Sequence, residues 1–462
     1  MSCSKLWTPE DPMNRRNQQT RSGLIIPPSA QVTMAATRRS FLRNAALGGA
    51  LLATPGLLAA CGNDSGGGSG GGGGGGPVSF GVNEAKGSGP ANERMAGFAA
   101  AYTKKTGIEV NANYVDHNTF QESINTYLQG SPDDVFTWFA GFRMQQFAED
   151  GLLGDISDVW PIDGMGDAFK QASTSTDGKQ YLVPYDYYPW AVFYKKSVFE
   201  ENNFTVPTTY DDFIALMDDM KGKGITPFAF GDKDGWPAMG TFDILNMRIN
   251  GFDFHMSLMA GKEAWDGAEV KKVFETWRDL LPYHQEDPLG RTWQEAATSM
   301  ANGEAAMYLL GTFVGDAIPD VIDDLDFFTY PELDASIGSD ALDAPIDGFC
   351  LSAAAKNPDG GKEMLKYFGT AEAQDAANKA AEAPMIAANA NADTSIYSAL
   401  QVKSAEVVGA AAHIAQFLDR DTDTNFASTV MIPSLQTFLK SPDDIDGLTK
   451  SIQEQKVSIL GS

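Results

Sequence analysis

From residue 78 onward the apolar positions fall into two alternating rhythms. Val78, Phe80 and Val82 alternate with small neighbours, the period of a strand that buries one face. Met95, Phe98, Ala99 and Tyr102 then recur at helical spacing, and Gly107 supplies a stop. Ile108, Val110, Ala112 and Tyr114 return to alternation. Phe120, Ile124, Tyr127 and Leu128 form a second helical stripe, and Asp134–Phe139 reads as a third strand. Strand, helix, strand, helix, strand predicts a parallel sheet wrapped by helices.

Further along, Pro207-Thr208-Thr209 followed by Asp212 predicts a helix start, with acids at the positive end of the dipole. That helix carries Phe213, Met217 and Met220 on one stripe and ends near Gly222 or Gly224. Val270, Val273, Phe274, Trp277 and Leu281 mark another. No internal repeat is visible, and no linker follows residue 77. Two α/β lobes that exchange chain segments would leave none.

The first 77 residues read differently. Arg38 and Arg39 precede a short apolar run, Ala45 to Leu58, too short and weak to span a membrane. Thr37-Arg38-Arg39-Ser40-Phe41-Leu42-Arg43 resembles a twin-arginine export signal, and Leu58-Ala59-Ala60-Cys61 resembles a lipobox, where Cys61 would be acylated. Residues 34–60 are therefore expected to be a signal peptide, with translation starting at Met34 and residues 1–33 an extension outside it. Residues 61–77, the lipidated cysteine and a run of Gly and Ser, have almost no side chains to bury and read as a flexible tether. The run lacks the Lys-Ser/Thr ending of a phosphate-binding loop. The expectation is an exported lipoprotein on the cell surface or facing a periplasm, held to the membrane by its lipid alone.

Charge and cysteines narrow the classes. The chain has 462 residues, with 34 basic and 61 acidic side chains and a net charge of −27. That surface repels phosphate backbones and excludes a nucleic-acid partner. Cys3, Cys61 and Cys350 offer no disulfide framework.

Catalytic machinery is hard to assemble from what remains. His117, His255, His284 and His413 are far apart and form no metal-binding helix motif. Cys350 lies between Phe349 and Leu351, an inert apolar setting. The acids are too numerous for sequence spacing to pick out a glycosidase pair. Asp419-Arg420-Asp421-Thr422-Asp423 starts like a calcium loop, but Thr424 stands where glycine is needed and Val430 where glutamate is needed. No cofactor is expected.

Sugars present hydroxyls at their edges and C–H patches on their faces, so their sites combine flat aromatic rings with carboxylates and amides. Three stretches have that composition: Tyr185-Asp186-Tyr187-Tyr188-Pro189-Trp190, Gly235 to Asp243, and Trp138-Phe139-Ala140-Gly141-Phe142-Arg143. Each could also seal a core, but consecutive aromatics with an Asp favour a site for the Tyr185 to Trp190 run.

Three further stretches, Gly178 to Tyr185, Phe193 to Glu200 and Pro207 to Phe213, together resemble the central signature of the family 1 extracellular solute-binding proteins, the sugar receptors of bacterial ABC importers. Met300 to Phe313 matches that family's "GkAAM…G" segment, and Asp347-Gly348-Phe349 with Lys356-Asn357-Pro358 resembles its later interlobe crossing. The resemblance spans roughly residues 78 to 440. It implies a periplasmic-binding-protein-like α/β fold of two lobes, with an interlobe cleft and hinge crossings. Lobe 1 would comprise residues 78–186 plus 347–395, and lobe 2 residues 187–346 plus 396–462. It also implies a monomeric receptor, not an enzyme, that delivers a small sugar to permease subunits.

By motif, the resemblance places Trp138, Phe139 and Arg143 at the first lobe's cleft edge, and Asp186, Tyr188 and Trp190 at the first crossing. Trp236 and Asp243 would come from the second lobe, Gly311 and Phe313 would follow the "AAM" strand, and Asp347 and Phe349 would lie at the later crossing. Glu84 would bind a hydroxyl after the first strand. Gly81-Val82-Asn83-Glu84 departs from relatives that carry an aromatic there. A cationic solute such as a polyamine remains an alternative ligand, since aromatic cages with acids also hold ammonium groups. A secreted glycoside hydrolase or lectin is the alternative of another class.

Overall fold

A computed structural model describes residues 76–461, apart from 88 and 382–384. The expected signal peptide, Cys61 and most of the expected tether lie outside the described residues. Two sheets organise the rest. Strands β1 (Val78–Val82), β2 (Val110–Tyr114), β3 (Val135–Phe139), β4 (Leu182–Tyr187), β10 (Ile346–Leu351) and β11 (Ile386–Ala387) form one sheet in the order β11-β4-β10-β3-β1-β2. Strands β5 (Trp190–Lys195), β6 (Thr226–Phe228), β7 (Ala305–Gly311) and β8 (Leu325–Phe328) form the other, in the order β6-β7-β5-β8. A short parallel pair joins β9 (Ala341–Asp343) to β12 (His413–Ala415).

The first helices follow the sequence pattern. Helix α1 (Pro90–Thr106) buries Met95, Phe98 and Tyr102, and Gly107 caps it at φ 76°, donating its N–H to Thr103 O. That left-handed conformation favours glycine. Helix α2 (His117–Gln129) buries Phe120, Ile124 and Leu128, and the Asp116 side chain accepts from Thr119 N at its start. In the second sheet's half, Thr209 caps α4 (Tyr210–Gly222), whose buried face is Phe213, Leu216, Met217 and Met220. Between these lies the short α3 (Phe142–Glu149). Helix α7 (Ala268–Leu280) buries the expected stripe but closes it with Leu280, because the helix tightens to a 3₁₀ turn at Leu281.

The parallel-sheet expectation holds only in part. β1 pairs parallel with β2 and β3, but β10 runs antiparallel to both β3 and β4. The chain leaves the first sheet after β4 and re-enters through β10 from the far side, so the returning strand must run the other way. Only Tyr188 and Pro189 separate β4 from β5, so the two sheets are joined by a very short crossing. Each has its own core. Phe80, Phe98, Phe349 and Phe368 pack on one face of the first sheet, and Phe120, Phe136, Trp138 and Phe147 on the other. A separate, larger apolar cluster surrounds the second sheet and the helices α5 (Pro237–Asn250), α6 (Phe252–Met259) and α7.

Candidate functional site

Between the sheets lies a cavity of about 590 Å³ with walls from both. The crossing strands fix its floor. In β10, Asp347 stands opposite Phe139 of β3 on one side and Asp186 of β4 on the other. Side chains opposite each other on neighbouring strands share a face. Three site side chains therefore stand in one row at the end of the first sheet. On the other side of the crossing, Trp190 opens β5 opposite Gly311 at the end of β7. A β-carbon on Gly311 would come within 2.7 Å of Phe313 Cδ1 and 2.9 Å of Tyr188 Cδ2. Glycine there gives two cavity rings their room.

Those rings form a box. Trp190 lies 4.8 Å from Phe417 at 31°, and edge-on to Trp236 at 6.3 Å and Phe313 at 6.3 Å. Trp293 closes on Trp236 and Phe313 from helix 293–301. Gly240 on α5 allows Trp190 to lie directly on the helix backbone.

Charges face the box. Arg420 donates to Asp347 Oδ1 at 2.7 Å and to Tyr188 Oη at 3.1 Å, with its guanidinium 4.0 Å from the Phe139 ring centroid. Burial pushes the Asp186 carboxyl far up, and Asp347 pushes it further; its Oδ1 has no partner. Burial, with Asp316 beside it, raises Glu84 to about 7. Burial also lowers His117, to about 4, so its ring is neutral at ordinary pH. Contacts that cross the cleft include Arg94 on α1 to Asp316 on α8 (Val314–Ala317) at 3.6 Å, and Asn118 on α2 to Asp234 at 3.0 Å.

Nine of the sequence-derived positions line this cavity: Glu84, Trp138, Phe139, Asp186, Tyr188, Trp190, Trp236, Phe313 and Asp347. Gly311 serves it without lining it. Trp138 contributes only an edge, since it is 1% exposed and packed between Phe139, Phe147 and Arg143. Three positions sit elsewhere. Arg143 is buried behind the wall, donating to Gln121 at 2.6 Å and Asp419 at 3.0 Å. Asp243 lies deeper in α5 and accepts from Leu418 N at 2.6 Å. Phe349 packs in the core against Tyr185, Phe98 and Phe368. It lies two residues beyond Asp347, about 7 Å further into the strand, under the helices rather than at the open end.

The sequence reading missed Arg94, His117, Asn118, Trp293, Asp316, Phe417 and Arg420, all in the lining. One signal was present. The run singled out for calcium-like spacing does carry site residues, but Asp419 is paired with Arg143 and Asp423 caps the next short helix. Phe417, just before it, has φ 146° and ψ 150°. That conformation costs a non-glycine residue on the order of 1–3 kcal/mol, and no sequence pattern announces it.

Two sheets with separate cores, a short crossing and a polar-aromatic cavity between them define a two-lobed ligand receptor. The model of the bacterial extracellular solute-binding proteins matches residues 87–375, and the chain belongs to that family. It is 29% identical over 307 residues to an ABC transporter extracellular-binding protein of Pyrococcus horikoshii, covering 63% of this chain and 68% of that one. Among solved structures, the bacterial solute receptor AcbH is 42% identical, with a TM-score of 0.81 over 83% of this chain and 99% of its own. AcbH is described as having an exclusive substrate preference for β-D-galactopyranose. A chitin oligosaccharide binding protein shares the fold at 21% identity and a TM-score of 0.72, over 82% of this chain and 98% of its own.

Proposed function

We propose that the protein captures a single hexopyranose of the galactose class in this cavity and delivers it to an ABC importer. The observation that carries the reading is the convergence of the Trp190, Trp236 and Phe417 rings with Asp186 and the Arg420–Asp347 pair in one cavity. The rings offer a face for the sugar's C–H patch, and the ions offer paired hydrogen bonds to its hydroxyls. A volume of about 590 Å³ is within the ordinary range for small-ligand sites. The cross-cleft contacts at Asn118 and Arg94 favour a short ligand over a chain that must thread out. The preference described for AcbH, at 42% identity, supports galactose in particular. A polyamine is the competing ligand, since seven carboxylates line the cavity against Arg94 and Arg420, and the titration below separates the two.

In this reading the lobes are residues 78–186 with 347–395, and 187–346 with 396–462. The receptor is a monomer, does no catalysis, and is tethered through acylated Cys61 after twin-arginine export. Calorimetric titration with D-galactose, D-glucose, maltose and spermidine tests the ligand. Saturation at 100 times Kd should stabilise the fold by about 2.7 kcal/mol. Tightest binding of spermidine, or turnover of an aryl galactoside, would overturn the reading. Labelled fatty acid on the Cys61→Ser protein would overturn the anchor.

A further inference from the structure

Phe417 and Arg420 give the cavity a ring and a guanidinium, yet both sit on a turn whose backbone is strained at Phe417. The turn is held by carboxylates. Asp421 Oδ2 accepts from Gln416 N at 2.7 Å, and Gln416 Oε1 accepts from Ile346 N at 3.0 Å. The remaining anchor comes from another element: Asp243, on α5, accepts from Leu418 N, and this bond is wholly buried. The same helix seats Trp190 against Gly240, one turn earlier. We propose that Asp243, backed by Asp343 and His255, is a positioning residue for ligand capture. From behind the cavity wall it fixes the turn that presents Phe417 and Arg420. The claim rests on the cavity being the ligand site.

Asp243, Asp343 and a ring nitrogen of His255 bring ligand-capable atoms within 4.8 Å of one another, all buried. A metal centre is the obvious reading of that spacing, and the hydrogen-bond chain argues against it. Asn250 Nδ2 donates to Glu269 O and to Asn246 Oδ1, which fixes the Asn246 amide. Asn246 Nδ2 therefore faces His255 Nδ1, at 3.1 Å. Burial keeps the imidazole neutral, so its one hydrogen is on Nε2 and neither ring nitrogen offers a free lone pair. Arg248, also on α5, adds a cation beside Asp343.

The cluster's surroundings favour protonated carboxyls instead. Asp243 Oδ1 and both oxygens of Asp343 have no partner. Burial raises both carboxyls, and Asp343 pushes Asp243 up further while Asp421 does the same to Asp343. The Leu418 N–H favours charge on Asp243, and Arg248 and Arg420 favour it on Asp343. With a proton on Asp243 Oδ1, Oδ2 remains the acceptor for Leu418 N. A protonated aspartate is matched in shape and charge by asparagine. Glutamate has the right chemistry at the wrong distance, one methylene too long.

The test is calorimetric titration of D-galactose, D-glucose and maltose into wild type, Asp243→Asn, Asp243→Glu and Asp243→Ala, with the Leu418 and Arg420 N–H signals followed by NMR without sugar. Asp243→Asn should keep Kd within about threefold, and the other two should weaken it about tenfold or more. The Leu418 signal should persist in the Asn variant and shift in the Glu and Ala variants. A packing role alone would lower all three melting temperatures without ranking affinities this way. If Asp243→Ala does not fold, the order of Asn and Glu decides. Wild-type affinity in the Glu or Ala variant, or equal loss in Asn and Glu, overturns the proposal. If wild type binds no sugar, the proposed function falls. The NMR then decides the positioning claim alone, and unmoved Leu418 and Arg420 signals in Asp243→Glu overturn it.

Discussion

Gly240→Ala sets two physical effects against each other. Gly240 lies inside α5, where alanine is favoured over glycine by roughly 0.5–1 kcal/mol. A β-carbon there would stand 2.5 Å from Trp190 Cε3 and 2.7 Å from Cη2. The indole cannot simply swing away. Its backbone, in β5, is paired to Gly311 of β7, and Phe417, Trp236 and Phe313 surround the ring. Relieving the overlap needs a shift of about 1 Å, and overpacking of this kind costs about 1–3 kcal/mol. Sterics should win. The variant is expected to lose about 1–2 kcal/mol in urea unfolding without ligand. It should also bind galactose up to about tenfold more weakly, as a displaced ring forfeits the 0.5–1.5 kcal/mol of a well-placed aromatic contact. Gly222→Ala is the control, since nothing lies within 4 Å of its would-be β-carbon at the end of α4; it should be neutral or slightly stabilising. A Gly240→Ala protein more stable than wild type, with unchanged Kd, would refute the reasoning.

Arg420→Ala leaves Asp347 buried without its cation. Breaking a buried pair costs about 3–5 kcal/mol; with Asp347 17% exposed toward the cavity, about 3 kcal/mol is expected in urea, and a loss under 1 kcal/mol would sink the account. Glu84 gives a pH signature: burial raises its carboxyl from 4.5 to about 7, so the stability it contributes is fully present below 4.5 and is lost as pH rises through 7. Glu84→Gln should match wild type near pH 4 and exceed it by about 2 kcal/mol at pH 8, after discounting for solvent in the cleft; parallel stability–pH curves would show that Glu84 titrates normally. Asn118→Ala removes a cross-cleft bond to Asp234. It should weaken binding about threefold and enlarge the ligand-free radius of gyration in X-ray scattering; an unchanged radius with unchanged Kd would mean that the contact does not hold the lobes together.

Much of this protein was legible in its sequence because burial writes itself into periodicity. The stripes at Met95–Phe98–Tyr102 and Phe213–Met217–Met220 each needed a core to cover them, and each found one. The dense aromatic and acidic run from Tyr185 to Trp190 marked the crossing for a similar reason. A strand passing from one core to another exposes its middle to the cleft, and Asp186, Tyr188 and Trp190 line it. Depth was not legible. Asp347 and Phe349 are two residues apart on one strand, but one meets the cavity and the other the core, because helices cover only part of β10. Asp243 and Arg143 carry the residue types of a sugar site, yet each makes its hydrogen bonds behind the wall, to Leu418 N and to Asp419. Arg420 and Phe417 lie more than 200 residues from Tyr188 and Trp190, and only folding brings them into contact. Local sequence sets which face of a strand or helix is buried. Which buried face opens onto a cavity depends on how distant segments pack, and that was decided by the tertiary structure.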